Sequence, residues 1–472
     1  MRAVLLLLAI AACGDDLAPH RIDPDAIVID GRAFRDTQGR QRLWRGYNAK
    51  VQDVFDVSFS DGRAPNYTFP PFTDEVAAQL EDMGLDVIRL PVSWSALEPA
   101  PREYAASFFD ALDDAIALAR AHGMHVIIDM HQDAYSKEIG EDGAPLWAIT
   151  PTPSMVLAGP SDDSRRLSAP VLAAGLSFFK NLPASDGRPL QEAFTDAVAQ
   201  IVSRHVGDPT VIGYEAFNEP VVFDTTQLDK FHERVANRVH AIDPDAALFF
   251  EPWALRNQSD TAPLADAPWS HGPGVYAPHI YTGQFTMPTQ NGWESEDPAV
   301  LAPSMASAEM EAASWGTPLF ATEFGCDQTL TRGPKWLSAE LDLQDQYLTS
   351  STAWAREWGS WGLYSSSGTL WPETARVMSR SYPRAVAGDL LAIERPEPGH
   401  LRVRYRPSAR TVGLPHEVSA SSLWFTDVHV LCDGAPADFT QLRGRIEFDC
   451  GATGTDEHTF EVIGTPVPAT QN

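Results

Sequence analysis

The sequence predicts an α/β protein: a (β/α)8 TIM barrel followed by a small C-terminal β-sandwich domain. From about residue 27, eight short apolar or β-branched runs alternate with longer segments of helical periodicity, which is typical of repeated βα units. No Gly-rich phosphate loop follows the first run, and this disfavours an open, doubly wound sheet. After Gly388 the pattern changes to short alternating strands, which predict the β-sandwich.

The N-terminus predicts an export signal over residues 1–13. Arg2 precedes an apolar run over residues 4–12 that is too short to span a bilayer permanently. Residues 10–13, Ile-Ala-Ala-Cys, resemble a bacterial lipobox, in which Cys13 would become the lipidated first residue; cleavage nearby without lipidation is the alternative. We therefore expect an exported protein, secreted or anchored to the bacterial outer membrane as a lipoprotein, with a linker over residues 14–26.

The barrel is predicted over residues 27–386. A closed barrel places its functional side chains at the C-terminal ends of the strands, so these ends are where candidate residues are sought. The eight strands are expected at 43–48, 87–91, 125–129, 211–217, 248–251, 274–279, 319–323 and 359–364. Helices are expected between them at 73–83, 108–121, 190–205, 227–241, 304–315 and 341–358.

The connection after the third predicted strand, over about residues 134–188, is long and rich in Pro, Gly and Ser. Connections of this length are usually functional or disordered. The apolar segments at 145–149 and 172–182 predict either a hydrophobic rim beside the barrel mouth or a helix that packs on the barrel.

The C-terminal domain is predicted over residues 387–467. Cys432 and Cys450 bracket two strand-like stretches, and a disulfide between them would suit an oxidising compartment. Cys326, just after the seventh predicted strand, is expected to be a buried apolar residue rather than a reactive thiol. The chain has only four cysteines, so the fold does not depend on a disulfide framework.

Charge and aromatic content restrict the class of ligand. The 64 acidic and 35 basic residues give a formal net charge of −29, which would repel a phosphate backbone, so we expect no nucleic-acid partner. The chain also contains 13 Trp, 11 Tyr and 22 Phe. Flat rings suit the apolar faces of sugars, although most of these rings are expected in the core.

Two Glu residues at predicted strand ends form the candidate catalytic pair. Glu219 follows the fourth strand in Asn218-Glu219-Pro220, and Glu323 closes the seventh strand in the run Ala-Thr-Glu-Phe-Gly. Hydrolysis of a glycoside with retention needs two carboxylates about 5–5.5 Å apart, one to attack the anomeric carbon and one to protonate the leaving oxygen. Each Glu alone is weak support, since Glu at a strand end is commonly a cap or an ion-pair partner. Asn218 would bond the sugar 2-hydroxyl.

These two segments resemble glycoside hydrolase family 5, and the resemblance implies that Glu219 is the general acid/base and Glu323 the nucleophile. Arg89 would hold the nucleophile ionised, or would instead form a structural ion pair. A metal role for His131 or His279 is disfavoured because no Cys or closely spaced His accompanies them, and neither metal nor cofactor is expected. The family orients its carboxylates through positions that match Arg89, His131, His279 and Tyr281.

The resemblance is greatest to the endoglycoceramidases and related glycosphingolipid hydrolases of that family. Residues 129–136 and 140–148 are similar to their third-strand loop, and this similarity implies that Asp133 and His131 contact the sugar nearest the scissile bond. Lys50, after the run Gly-Tyr-Asn-Ala, matches a sugar-contacting Lys of these enzymes; an exposed loop Lys is the alternative.

The eighth predicted strand departs from the family pattern. The family usually presents a Trp platform at the end of this strand, whereas residues 359–366 offer Trp361 or Tyr364, and Trp371 follows in the next loop. Because side chains alternate direction along a strand, only one of the first two can face the sugar, and we assign Trp361 to this position.

Together these features predict a retaining β-glycosidase that cleaves the β-bond between a glycan and ceramide, acting as a monomer. Membrane proximity is expected through the lipid anchor or the lipid substrate. The nearest alternative is a β-glucanase or β-mannanase of the same family that acts on soluble polysaccharide, since the fold and the catalytic pair do not set specificity. A carbohydrate-binding protein without turnover is a further alternative, which the presence of both carboxylates disfavours.

Overall fold

The computed structural model describes residues 26–156, 163–264, 267–282, 298–329 and 333–469. The predicted signal peptide, with Cys13, and all but the last residue of the predicted linker lie outside these ranges. Within them, no helix is both long and apolar enough to cross a membrane. The described residues form a parallel barrel and two antiparallel sheets.

The described residues contain the predicted (β/α)8 barrel. Its sixth strand is divided: Gly274–Tyr276 pairs with the fifth strand, and His279–Ile280 pairs with the seventh. A parallel bridge between Tyr276 and Leu319 closes the sheet between the sixth and seventh strands. The other strands are, in chain order, Arg45–Asn48, Val87–Ser93, His125–His131, Val211–Glu215, Leu248–Phe250, Phe320–Phe324 and Ser350–Ala353.

Alternation along the strands places an apolar layer beneath a polar layer inside the barrel. Val87, Ile127, Phe249 and Phe320 belong to one buried apolar cluster, to which the N-terminal hairpin adds Phe34. Two residues further along each of these strands, side chains point to the same face again. Those positions hold the buried polar residues Arg89, Asp129, Glu251 and Thr322. The barrel interior is therefore polar toward the C-terminal ends of the strands, where the sequence places the candidate site.

Helices alternate with the strands and cover the outside of the barrel. Asp224 caps one of them, because its side chain accepts a hydrogen bond from the Thr226 backbone N–H. The main helices are Asp74–Asp82, Ala106–Ala121, Leu190–Arg204, Thr225–His240, Pro298–Trp315 and Gly333–Gln346. Shorter ones are Trp94–Leu97, Arg256–Ser259 and Pro372–Met378.

The last predicted helix and strand of the barrel are wrong. The sequence predicts a helix over 341–358 and a strand over 359–364, whereas the helix Gly333–Gln346 ends earlier and Ser350–Ala353 is the eighth strand. This strand pairs in parallel with both the seventh and the first strand. Trp361 therefore lies in the loop that follows the barrel, not on its last strand.

The eighth strand was not predicted because most of its residues are polar. The run Ser-Ser-Thr-Ala is fully buried, and its hydroxyls are bonded inside the barrel wall. Ser351 Oγ donates to Gln344 Oε1 at 2.6 Å, and Thr352 Oγ1 donates to the Thr322 carbonyl at 2.6 Å. Satisfied hydroxyls can be buried at little cost, so a search for apolar runs overlooks such a strand.

The long third connection contributes the helix Ala169–Phe179. Its Phe178 is buried, with ring centroids 5.1 Å from Phe217 and 5.5 Å from Phe194. This face packs on the barrel, while Leu172 lies on a side of the helix that lines a cavity. The alternative of a helix that packs on the barrel is therefore confirmed for this segment, and the same helix also lines a cavity.

The C-terminal part forms two antiparallel sheets, as expected for a β-sandwich. Cys432 and Cys450 form the anticipated disulfide, with a Cα–Cα distance of 5.4 Å, and Cys326 is buried and unbridged. One sheet contains Asp389–Glu394, His400–Arg406, His458–Pro466, Phe425–Cys432 and Ala435–Ala437. The other joins both ends of the described chain, in the order Val28–Asp30, Ala33–Arg35, Gln41–Arg42, Pro383–Val386, His416–Ser419, Arg445–Phe448 and Thr440–Leu442.

Candidate active site

Arg89 is the centre of the polar layer. Its guanidinium is fully buried; Nε donates to Glu215 Oε2 at 2.6 Å, and Nη1 donates to Glu323 Oε1 at 2.7 Å. Nη2 donates to Asn218 Oδ1 at 2.8 Å and lies 3.1 Å from Asp129 Oδ2. One cation thus compensates carboxylates from three strands, which could not remain charged in the barrel without it. Both alternatives for Arg89, the contact to Glu323 and a structural ion pair, are present.

Glu323 is held at both oxygens. Its Oε1 accepts from Arg89, and its Oε2 accepts from the Tyr281 hydroxyl at 2.7 Å. His279 Nδ1 lies 3.4 Å from the same Oε2. Burial raises the pKa of Glu323 above its ordinary value, although the charges of His279 and Arg89 oppose this effect. Burial also raises the pKa of Tyr281 well above its ordinary value, so its hydroxyl remains a donor.

The backbone aims Glu219 into the cleft from the end of the fourth strand. Its φ angle is 43°, in the left-handed region that is uncommon for residues other than Gly. Two contacts hold this conformation: its N–H donates to Glu251 Oε2 at 3.1 Å, and its carbonyl accepts from Gln132 Nε2 at 3.2 Å. The third and fifth strands therefore fix the position of the candidate acid/base.

The Glu219 side chain accepts three hydrogen bonds. Oε1 accepts from Asn257 Nδ2 at 2.7 Å and lies 2.9 Å from His279 Nδ1, while Oε2 accepts from Arg166 Nη1 at 3.2 Å. Burial raises the pKa of Glu219, but the hydrogen bond from His279 and the charges of His279 and Arg166 outweigh it, so this pKa lies below its ordinary value. In this arrangement Glu219 is ionised.

His279 brings the two carboxylates together. One oxygen of Glu219, one oxygen of Glu323 and a ring nitrogen of His279 all lie within 4.8 Å of one another. An inverting pair needs about 6.5–9.5 Å to admit a water molecule, whereas a retaining pair is about 5–5.5 Å apart. The spacing therefore suits attack by one carboxylate on a carbon whose substituent the other protonates.

Lys50 and His131 both lie against the Trp354 ring, and His131 also approaches Asp133. The His131 ring stacks on Trp354 with ring centroids 5.4 Å and planes 7° apart, and His131 Nε2 lies 3.6 Å from Asp133 Oδ2. Lys50 Nζ lies 4.6 Å from the Trp354 ring centroid and donates to Glu357 Oε2 at 2.9 Å. Lys50 is buried, so the alternative of an exposed loop Lys is wrong.

The aromatic residue at the end of the eighth strand is Trp354, which the sequence did not identify because the register was wrong. Trp361 nevertheless approaches the site from the following loop, with its ring centroid 6.0 Å from that of Tyr281. The Tyr364 hydroxyl donates to Gln79 on an outer helix, so Tyr364 points away from the cleft. Among the described residues, both Trp354 and Trp361 therefore lie beside the site.

Other residues of the site also escaped prediction. Glu215 and Glu251 are buried carboxylates at the ends of the fourth and fifth strands, and the rule that identified Glu323 would have found them. Asn257 in a short helix and Arg166 in the third connection belong to no recognisable motif, and only folding brings them to Glu219.

A small apolar cavity of about 40 Å³ adjoins the Glu219 side of the cleft. Gln132 and Arg166, which both contact Glu219, form part of its wall. The cavity therefore lies on the side of Glu219 where Arg166 donates to Oε2. Its apolar wall includes Ala134, Tyr135, Val171, Leu172, Phe179 and Val221.

Several known proteins are similar to this chain. Endoglycoceramidase I of Rhodococcus hoagii (strain 103S) is 26% identical over 426 residues, which cover 85% of this chain and 81% of that protein. Endo-glycoceramidase II from Rhodococcus sp., solved as a lactosyl-enzyme intermediate, is 24% identical with a TM-score of 0.75 and covers 92% of this chain and 100% of its own. An endogalactoceramidase crystal structure is 20% identical with a TM-score of 0.74, covering 93% of this chain and 100% of its own. These two structures share the fold.

The family profile matches the part of the chain that forms the site. The profile "Cellulase (glycosyl hydrolase family 5)" covers residues 47–360, which include both carboxylates, Arg89 and His279. The match extends over well more than half of the sequence, and it coincides with the barrel described above. The chain therefore belongs to glycosyl hydrolase family 5.

Proposed function

We propose that the protein is a retaining β-glycosidase that hydrolyses the linkage between glycan and ceramide in glycosphingolipids. The observation that carries this proposal is the apolar cavity beside Glu219. Glu219 belongs to a carboxylate pair in which one oxygen of each residue lies within 4.8 Å of the other. The names of the similar Rhodococcus proteins support the same substrate class.

Glu323 is the nucleophile in this mechanism. It attacks the anomeric carbon, the bond to the ceramide oxygen breaks, and Glu219 gives its proton to that oxygen. The glycosyl-enzyme ester then reacts with water, which transfers a proton to Glu219 as the bond to Glu323 breaks. Arg89 and Tyr281 stabilise the Glu323 carboxylate before attack and after release.

The sugar nearest the scissile bond lies between the two carboxylates and the group formed by Lys50, His131 and Asp133. Asn218 accepts from Arg89 and donates one Nδ2 hydrogen to the Gln132 carbonyl at 3.1 Å. An amide nitrogen has two hydrogens, and the second is directed to the sugar 2-hydroxyl in this proposal. Trp354 and Trp361 provide flat surfaces for the glycan.

We also propose that the protein is exported, and that the mature form is either secreted or anchored to a membrane by a lipid on Cys13. The disulfide between Cys432 and Cys450 supports an oxidising compartment. We propose a monomer that works close to membranes, where its lipid substrate resides. Mass spectrometry of the mature N-terminus tests the anchor: a chain that begins at an acylated Cys13 supports it, and an unmodified start further along contradicts it.

Product analysis tests the enzymatic proposal. Lactosyl-, glucosyl- and galactosylceramide are incubated beside soluble β-glucan and β-mannan, and the products are identified by mass spectrometry. Release of intact ceramide with its whole glycan supports the proposal, and cleavage of soluble polysaccharide alone contradicts it in favour of a polysaccharide hydrolase. Sugar binding without turnover would indicate the non-catalytic alternative.

Variants of the two carboxylates test their roles. Glu323→Gln and Glu219→Gln should abolish ceramide release, whereas Glu309→Gln, on an outer helix and paired with Arg32 at 2.7 Å, should not change it. Azide should rescue Glu219→Ala with a β-glycosyl azide product and Glu323→Ala with an α-glycosyl azide. The opposite stereochemistry would exchange the two assigned roles.

A further inference from the structure

Arg166 enters the active site from the third connection. It belongs to the 3-10 helix Asp163–Leu167, and its side chain is 37% exposed. Arg166 Nη1 lies 2.8 Å from Asp133 Oδ1 and 3.2 Å from Glu219 Oε2, so the guanidinium bridges a sugar-side carboxylate and the candidate acid/base. Nothing in the mechanism above uses this residue.

The hydrogen bonds at the two Glu219 oxygens determine what the contact with Arg166 does to the Glu219 proton. Oε1 is engaged by Asn257 and His279, so the proton that Glu219 delivers must reside on Oε2. The donor at Oε2 is Arg166, and a guanidinium donates hydrogen bonds but cannot accept them. A protonated Oε2 would therefore point a hydrogen at a group that only donates. Glu219 can act as an acid only after Arg166 has moved away from Oε2.

We propose that Arg166 is a positioning residue that keeps Glu219 in its base form and withdraws from Oε2 when the leaving group binds. This inference rests on the proposed function, because it assumes that Glu219 is the acid/base of a retaining glycosidase. In the first step the glycosidic oxygen takes the place of Arg166 beside Oε2. In the second step, after the leaving group departs, the attacking water occupies the same place and transfers its proton to Oε2, and Arg166 returns once Glu219 is ionised again.

The apolar cavity links this movement to the aglycone. Arg166 is part of its wall, together with Val171 and Leu172 of the following helix. An apolar chain in the cavity contacts the Arg166 stem, and its attached oxygen competes for Oε2. The acid form of Glu219 is therefore favoured when a lipid leaving group is in place.

Several charged groups face Glu219 from the surrounding elements, and Arg166, with a side chain that is 37% exposed, is the least buried of them. His279 and Arg166 lower the pKa of Glu219, while burial and Asp133 raise it. Groups on the neighbouring strands and loops that contact or face Glu219 are His279, Glu323, Glu251, Tyr281, Asp133 and Arg166.

The test removes the charge at Arg166 and measures the titration of Glu219. Opposite charges within about 4–6 Å change a carboxyl pKa by about 1–3 pH units, and partial exposure of Arg166 reduces this to about one pH unit. The basic limb of the pH profile of kcat/KM is measured with an aryl β-lactoside. We expect Arg166→Gln and Arg166→Met to shift this limb to a pH about one unit higher. Arg166→Lys, which retains the charge, should leave this limb near its original position.

Arg165 supplies the matched control. It is the adjacent Arg, and its Nη1 donates to the Gly140 carbonyl at 3.3 Å rather than to a carboxylate of the site. Arg165→Gln removes the same charge from the same loop and should not move the basic limb. A role of Arg166 in folding alone would lower activity without changing the pH profile.

Carbon-13 NMR of glutamate side-chain carboxyls, with Glu219 assigned from Glu219→Gln, measures the same pKa without turnover. A higher Glu219 pKa in both Arg166→Gln and Arg166→Met supports the proposal. If the Glu219 pKa is the same in the original protein and in either Arg166→Gln or Arg166→Met, the proposal is wrong. Failure of the proposed function is a separate outcome: the original protein would hydrolyse no β-glycoside, whatever the NMR titration shows.

Discussion

The Tyr281 hydroxyl donates a hydrogen bond to Glu323, and its removal tests the nucleophile assignment. Tyr281→Phe deletes the donor that lies 2.7 Å from Glu323 Oε2, in a place where both side chains are buried. A hydrogen bond to a charged group contributes about 1.5–3 kcal/mol. A pKa change of one pH unit corresponds to about 1.36 kcal/mol, so the lost bond corresponds to about one to two pH units. Arg89 still donates to Glu323 Oε1 in this variant, so we expect a pKa change near one pH unit.

The direction follows from the charge that the bond stabilises. Tyr281 donates to the ionised form of Glu323, so its removal raises a pKa that burial already raises. Glu323 must be ionised to attack, and the acidic limb of kcat/KM reports this ionisation in the free enzyme. We expect this limb to move up by about one pH unit in Tyr281→Phe. At a pH below the limb, kcat/KM of the variant should then be about tenfold lower than that of the original protein.

Tyr276→Phe is the matched control. Tyr276 is a buried residue in the first half of the divided sixth strand, and its hydroxyl donates to Glu311 Oε2 at 2.6 Å, away from the catalytic pair. Both variants lose a buried hydroxyl bond, so both should lose some stability, but only Tyr281→Phe should move the acidic limb. An acidic limb that stays in place in Tyr281→Phe, or that moves equally in Tyr276→Phe, would refute the reasoning.

Three further predictions concern the barrel core, the cavity and the C-terminal sheets. Arg89→Met leaves buried carboxylates without their cation and should lower the free energy of unfolding by about 3–5 kcal/mol in a denaturant titration, with loss of hydrolysis. Gly175→Leu should fill the cavity and lower kcat/KM for lactosylceramide at least tenfold while sparing an aryl β-lactoside; Gly175→Ala, whose added Cβ meets only the Val221 carbonyl at 3.8 Å, is the control. Replacement of Cys432 and Cys450 by Ser opens a link across 18 residues and should cost about 3 kcal/mol of stability, measured by thermal and denaturant unfolding.

Most of the barrel could be predicted because its strands are apolar on both faces and end in polar residues. The eighth strand could not, because Ser350–Ala353 is buried through satisfied hydroxyls instead of apolar side chains. That one error moved the aromatic platform by several residues. Trp354 was missed, and Trp361 was placed on a strand although it approaches Tyr281 from a loop.

The sequence by itself determined the barrel, the order of its polar strand ends and the identity of both candidate carboxylates. Apolar runs that end in polar residues are a local property, and parallel strands bring their C-terminal ends to one edge wherever the connections run. Only the tertiary structure decided which groups control each carboxylate. Arg166 and Asn257 lie 53 and 38 residues from Glu219 in the chain, and the apolar cavity beside them forms between a loop helix and the barrel wall. Contacts of this kind depend on how a long connection folds back over the strands, which no local pattern encodes.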